Sequence, residues 1–89
     1  MKNFHLVISS PDGSIFDGDV VCISLRGASG ELAVLADHAP FITSVVPCRC
    51  KITFDDESEK FGQIESGLLS VEKQKTVLSL SKFEWIENE

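Results

Sequence analysis

The side chains of this 89-residue chain whose types could support chemistry are two histidines, His5 and His38, three cysteines, Cys22, Cys48 and Cys50, and an acidic run of Asp55, Asp56, Glu57 and Glu59. Catalysis needs a nucleophile beside a base, a positioned carboxylate pair or a metal cluster, and none of these sets assembles from the spacing. His5 occupies a polar position of an alternating segment, as a solvated or edge-pairing histidine does. Cys48-Arg49-Cys50 is too tight for zinc spacing, and an odd number of cysteines leaves at least one unpaired, so all three read as reduced thiols filling β positions in a reducing compartment. The acidic run lacks the central glycine and terminal glutamate of a calcium loop and reads as a solvated hairpin tip. Gly27 and Gly30 lead into Glu31 rather than into Gly-Lys-Ser/Thr, and a carboxylate there repels phosphate, so no nucleotide, metal or cofactor is expected. Glu72-Lys73 between β-like segments weakly resembles the lysine hairpin of lipoyl or biotinyl carrier domains, although Gln74 and Lys75 beside Lys73 suit a plain solvated turn.

What the elements can be follows from size and rhythm. A chain of 89 residues, 43% hydrophobic and 25% charged, can hold one domain over 1–89 with enough apolar material for a core. Its formal net charge of −6, with only eight Lys and Arg and no basic stripe, argues against nucleic acid, where each phosphate contact calls for a cation. Apolar runs are far too short for membrane insertion, and the first residues form no signal-peptide core.

Turn signals recur at Ser10-Pro11-Asp12-Gly13, Asp17-Gly18, Gly27-Ala28-Ser29-Gly30, Asp37-His38-Ala39-Pro40, Val46-Pro47, Asp55-Asp56-Glu57-Ser58 and Ser66-Gly67, a spacing typical of sandwiches and barrels. Between them the apolar period is two: Phe4, Leu6 and Ile8 alternate with polar residues, as do Ile52 and Phe54. Val20 to Leu25 and Leu32 to Leu35 are apolar on both parities, which marks interior or docking strands. Phe61 and Ile64 fall out of phase around Gly62, which suggests a β-bulge there. No stretch has a sustained helical period. The expected fold is all-β, an antiparallel sandwich of about ten short strands with no long helix, since short connections forbid parallel crossovers.

The stretch from Gly27 to Thr43 is the most informative: Gly27-x-x-Gly30-Glu31, a short apolar strand, Asp37-His38-Ala39-Pro40 and then Thr43. Flanking it in order are Phe4-His5-Leu6-x-Ile8-x-Ser10-Pro11-Asp12-Gly13, Phe16-x-Gly18-x-Val20, and Gly67-x-Leu69-x-Val71 followed by Val77-Leu78. This ordered set resembles the epsilon subunit of F-type ATP synthases, called delta in mitochondria, over nearly the whole chain.

The resemblance implies a ten-stranded sandwich at the foot of the central rotor stalk, bound to the gamma subunit and resting on the c-ring. Such a subunit lies on the cytoplasmic face of the bacterial inner membrane. It couples proton or sodium translocation to ATP synthesis without catalysing either reaction. Arg26, Gly27, Ser29, Gly30, Glu31, Asp37, His38, Ala39 and Pro40 are the expected interface residues, with both segments toward the ring and neighbouring sandwich surface toward gamma. On the residues themselves, Gly27 and Gly30 permit unusual backbone, Pro40 holds Ala39 extended, and His38 can hydrogen-bond across the corner. Family members usually continue into a helical hairpin that inhibits hydrolysis and in some bacteria binds ATP, and this sequence is expected to lack that element. Two alternatives stand beside this reading: a stand-alone carrier or binding β-domain using Lys73, and an epsilon-like domain recruited to a different assembly.

Overall fold

The computed structural model describes residues 2–86. Ten strands follow one another: β1 (Phe4–Ser10), β2 (Gly13–Val20), β3 (Cys22–Gly27), β4 (Gly30–Leu35), β5 (Phe41–Val45), β6 (Cys48–Thr53), β7 (Glu59–Ile64), β8 (Gly67–Val71), β9 (Thr76–Leu80) and β10 (Phe83–Ile86). They form two layers. The first runs β4-β3-β6-β7-β10 and the second β5-β8-β9-β1-β2, joined where Gly27 of β3 pairs with Val45 of β5. Aromatic edges meet at the far side: Phe16 of β2 lies 6.3 Å from Trp85 of β10 and 6.0 Å from Phe54, edge to face in both cases.

The alternation seen in the sequence puts one parity of each strand between the layers. Leu6, Ile8, Ile23, Val34, Cys50, Ile52, Ile64, Leu69 and Leu78 are fully buried there, and no buried side-chain polar atom among the described residues lacks a partner. At about 25 cal/mol per Å² of apolar surface removed from water, this shared core is the main term that stabilises the fold.

Three expectations are corrected. Asp17-Gly18 makes no turn: it lies inside β2, paired with Val7 and Leu6, and Gly18 leaves room for the Phe16 ring, which an added Cβ would approach to 3.3 Å. Gly62 marks no bulge, because β7 keeps unbroken register with β6 and β10. A Cβ at Gly62 would stand 2.4 Å from the Phe83 ring, so the glycine is a packing requirement, and Phe61 and Ile64 face opposite sides of a regular strand. The register shift lies instead between Ile8 and Ser9. One pairing, β1 with β9, is parallel; the short-connection argument governs consecutive strands, and these two are separated by most of the chain.

Candidate partner-docking surface

The nine residues expected at an interface fall into two groups, and the strand between them decides their geometry. Gly27 to Gly30 turn the β3–β4 hairpin, while Asp37 to Pro40 connect β4 to β5. In the β3–β4 register Gly27 faces Gly30 at one end and Cys22 faces Leu35 at the other. The two groups therefore flank opposite ends of β4, about 17 Å apart at the usual rise per residue. They do not form one compact patch. They share an edge, because among the described residues β4 pairs with β3 alone and its other side carries no strand.

At the hairpin end Gly30 has φ +124°, a conformation that favours glycine, and an added Cβ there would meet nothing. Gly27 serves differently from expectation: its φ is not positive, it is buried, and a Cβ would approach Leu32 Cδ2 to 2.8 Å. The Ala28 amide donates to the Ser44 carbonyl (3.1 Å) and the Val46 amide to the Arg26 carbonyl (3.2 Å), tying the turn to β5. Above this frame the Arg26 guanidinium donates to Glu31 Oε2 at 3.0 Å across the strand pair, and Ser29 lies exposed in the turn.

At the corner end Asp37 adopts φ 67°, a left-handed conformation that Asp tolerates, and its carboxylate accepts from Lys2 Nζ at 2.6 Å. That contact raises the Lys2 ammonium above its ordinary pKa through its hydrogen bond to Asp37. The His38 amide donates to the Leu35 carbonyl (3.3 Å), which closes the turn. His38 Nδ1–H donates to the Ala39 carbonyl at 2.9 Å, since a carbonyl oxygen can only accept. Its ring lies 5.0 Å from that of Phe41. Ala39 and Pro40 are exposed, and the corner faces the Glu72–Lys75 turn across a shallow cleft floored by Phe4 and Leu35.

Residues discounted earlier sit elsewhere. His5 bridges two carboxylates of β2, with Nε2 2.6 Å from Asp17 and Nδ1 3.2 Å from Asp19. Ser58 bonds Asp56 through both its amide and hydroxyl and holds that carboxyl below its usual range. All three cysteines are free: Cys48 Sγ accepts from the Arg26 amide at 3.3 Å, and burial pushes the Cys50 thiol up to about 11. Lys73 stands exposed in the β8–β9 turn, which the Glu72 amide closes onto the Lys75 carbonyl.

Sequence reading missed the outer face of the second layer. Ile42 of β5 is 67% exposed and Leu68 of β8 is 48% exposed. In register, Ile42 faces Ser70 and Leu68 faces Ser44, and both lie on the outward parity. Behind them Val77 and Val7 continue the row across β9 and β1. The signal was present in Ile42 and Leu68 as aliphatic residues at positions that the alternation marks as outward, but assigning the parity of β5 and β8 required the register.

With this geometry in hand, the chain belongs to the family described as ATP synthase, Delta/Epsilon chain, beta-sandwich domain, whose model matches residues 3–86. It is 35% identical over 86 residues to the sodium ion specific ATP synthase epsilon chain of Acetobacterium woodii, covering 97% of this chain and 65% of that protein. It is 34% identical to the epsilon chain of Clostridium novyi, covering 97% and 66%. The chain thus spans about two thirds of the length of these relatives. Its fold superposes on a chain of the Euglena gracilis mitochondrial ATP synthase structure containing OSCP, F1 and c-ring, with TM-score 0.88, 19% identity and coverage of 93% of this chain and 53% of that one. A chain of the Tetrahymena thermophila mitochondrial ATP synthase central stalk and c-ring gives TM-score 0.75 at 14% identity, covering 92% and 66%.

Proposed function

We propose that this chain is a central-stalk element of an F-type ATP synthase that fastens the gamma subunit to the c-ring and couples ion translocation to ATP synthesis, with no chemistry of its own. The observation that carries the reading is the disposition of the family motif: Arg26 to Glu31 and Asp37 to Pro40 bracket β4, an edge strand of the first layer whose other side pairs with no strand among the described residues. A ring presents a broad surface, so β4 lying along it would bring both ends into contact at once. This reconciles two separated motif segments with one partner.

Gamma then takes the outer face of the second layer, where Ile42 and Leu68 supply apolar area bordered by serines. Buried apolar contacts dominate affinity at such faces, while rim charges set orientation and salt dependence. The implied location is the cytoplasmic side of the bacterial inner membrane, peripheral and held through these partners. Helix-mediated inhibition and ATP sensing are not assigned to these 89 residues, since every element among the described residues is a strand. The carrier reading of Lys73 has the exposed hairpin lysine in its favour and the family membership against it.

The test is co-elution. The chain mixed with a gamma–c-ring subcomplex should leave a sizing column with that subcomplex at one copy per gamma. Separate elution at micromolar concentrations would overturn the stalk assignment.

A further inference from the structure

Beyond the proposed stalk role, the outer face of the first layer carries a feature that neither gamma nor ring contact uses as a whole. An open groove of about 720 Å³ runs along β3, β4, β6 and β7, and its charged lining comprises Arg26, Arg49 and Lys51 against the single carboxylate of Glu31. These are three of the eight cations in a chain of net charge −6, gathered on one surface by strand alternation. Leu32 and Phe61 contribute apolar lining.

The cations are unequally engaged. Arg26 is 3.0 Å from Glu31, and Lys51 is 3.7 Å from Glu59. Arg49 makes no ion pair among the described residues and stacks its guanidinium 4.5 Å over the Phe61 ring. Stacking fixes the plane of the guanidinium while leaving its edge donors free, the state in which an arginine receives a carboxylate through two parallel hydrogen bonds. A surface of this kind fits recognition of acidic segments by arginine clusters. The surrounding negative potential opposes a long polyanion while tolerating a short segment that matches the groove locally.

We infer that this groove docks a short, extended acidic peptide segment of a partner protein, with one carboxylate on Arg49 and another between Arg26 and Lys51, and an aliphatic side chain on Phe61. The inference stands on the first layer alone and does not depend on gamma binding.

The experiment uses the 89-residue chain labelled with ¹⁵N. The probe is an end-blocked octapeptide with three glutamates and two leucines; a peptide with lysines in place of the glutamates and a single-stranded thymidine oligonucleotide are controls. Saturable amide shifts are expected at Ser24, Ala33, Arg49, Lys51 and Phe61 with the acidic peptide, weakening by about threefold or more between 50 and 300 mM salt. The pair Arg49→Glu and Lys51→Glu, both outward-facing, should weaken binding by about tenfold or more while leaving core amide positions unchanged. Arg49→Lys separates charge from stacking and should lose a smaller, intermediate factor. Absence of saturable shifts, equal binding of the lysine peptide, tighter binding of the oligonucleotide, shifts centred on Ile42 and Leu68, or unchanged binding in the charge-reversed variant would each overturn the inference.

Discussion

The outward faces of the two layers are built from the same alternation and end in opposite chemistry. On the second layer, Ile42 and Leu68 stand among Ser44 and Ser70, so removal from water is the available driving force. On the first, Arg26, Arg49 and Lys51 stand with Glu31 and Glu59, and exposed pairs of this kind contribute at most about 1 kcal/mol each. One core thus supports a face suited to affinity and a face suited to orientation and selectivity. The proposed stalk role would use both, one face to stay attached and the other to set orientation toward a second partner.

Changes to the shared core should disable both faces together. Gly67 of β8 pairs with Leu80 of β9 and Val45 of β5, and an added Cβ would stand 2.2 Å from the Ser79 carbonyl oxygen. Gly67→Ala should cost roughly 3 kcal/mol through forced backbone displacement, read by urea denaturation, with binding at both faces lost in proportion. A wild-type-like midpoint would show that the neighbouring β9 backbone yields.

Cys50 offers a subtler core probe. Its thiol is fully buried and is pushed up to about 11 from an ordinary 9.0, chiefly by desolvation. The folded value is the higher one, so the unfolded chain ionises first: the contribution is fully present below about pH 9 and is lost as pH rises toward 11. Roughly 2 to 3 kcal/mol should disappear over that window, and Cys50→Val should remove this alkaline slope in urea titrations at stepped pH.

Changes confined to one face should separate the two. Ile42→Glu places a charge at the centre of the apolar face and should weaken gamma binding by about tenfold to a hundredfold, with folding stability altered by no more than about 0.5 kcal/mol at this exposed site. Glu31→Ala removes one partner of a surface pair and should change gamma affinity little, while changing the binding free energy to a gamma–ring subcomplex by less than about 1 kcal/mol, an effect that shrinks as salt rises. If Glu31→Ala proved the more damaging of the two for gamma binding, the division of labour between faces would be reversed.

Much of this architecture was legible in the sequence, and what was not has identifiable causes. Period-two patterning and turn residues gave the all-β class, since both are local: Ser10 to Gly13, Gly27 to Gly30 and Asp55 to Ser58 sit at hairpin turns. Asp17-Gly18 and Gly62 misled because glycine also appears where an aromatic ring occupies the Cβ position, a cause that lies across the sheet in Phe83 or two residues along in Phe16. The parallel β1–β9 pair is a property of chain closure. The motif residues were found by their types, but their placement at two ends of an edge strand follows only from register, as does the exposure of Ile42 and Leu68.

The central claim is that the outer face of the second layer fastens this chain to gamma, and calorimetric titration of the chain into the gamma subunit of the same organism, with Ile42→Glu in parallel, tests it most directly. One-to-one binding that Ile42→Glu weakens by about tenfold or more is the predicted result. Absence of binding, or equal affinity of the two proteins, would contradict it.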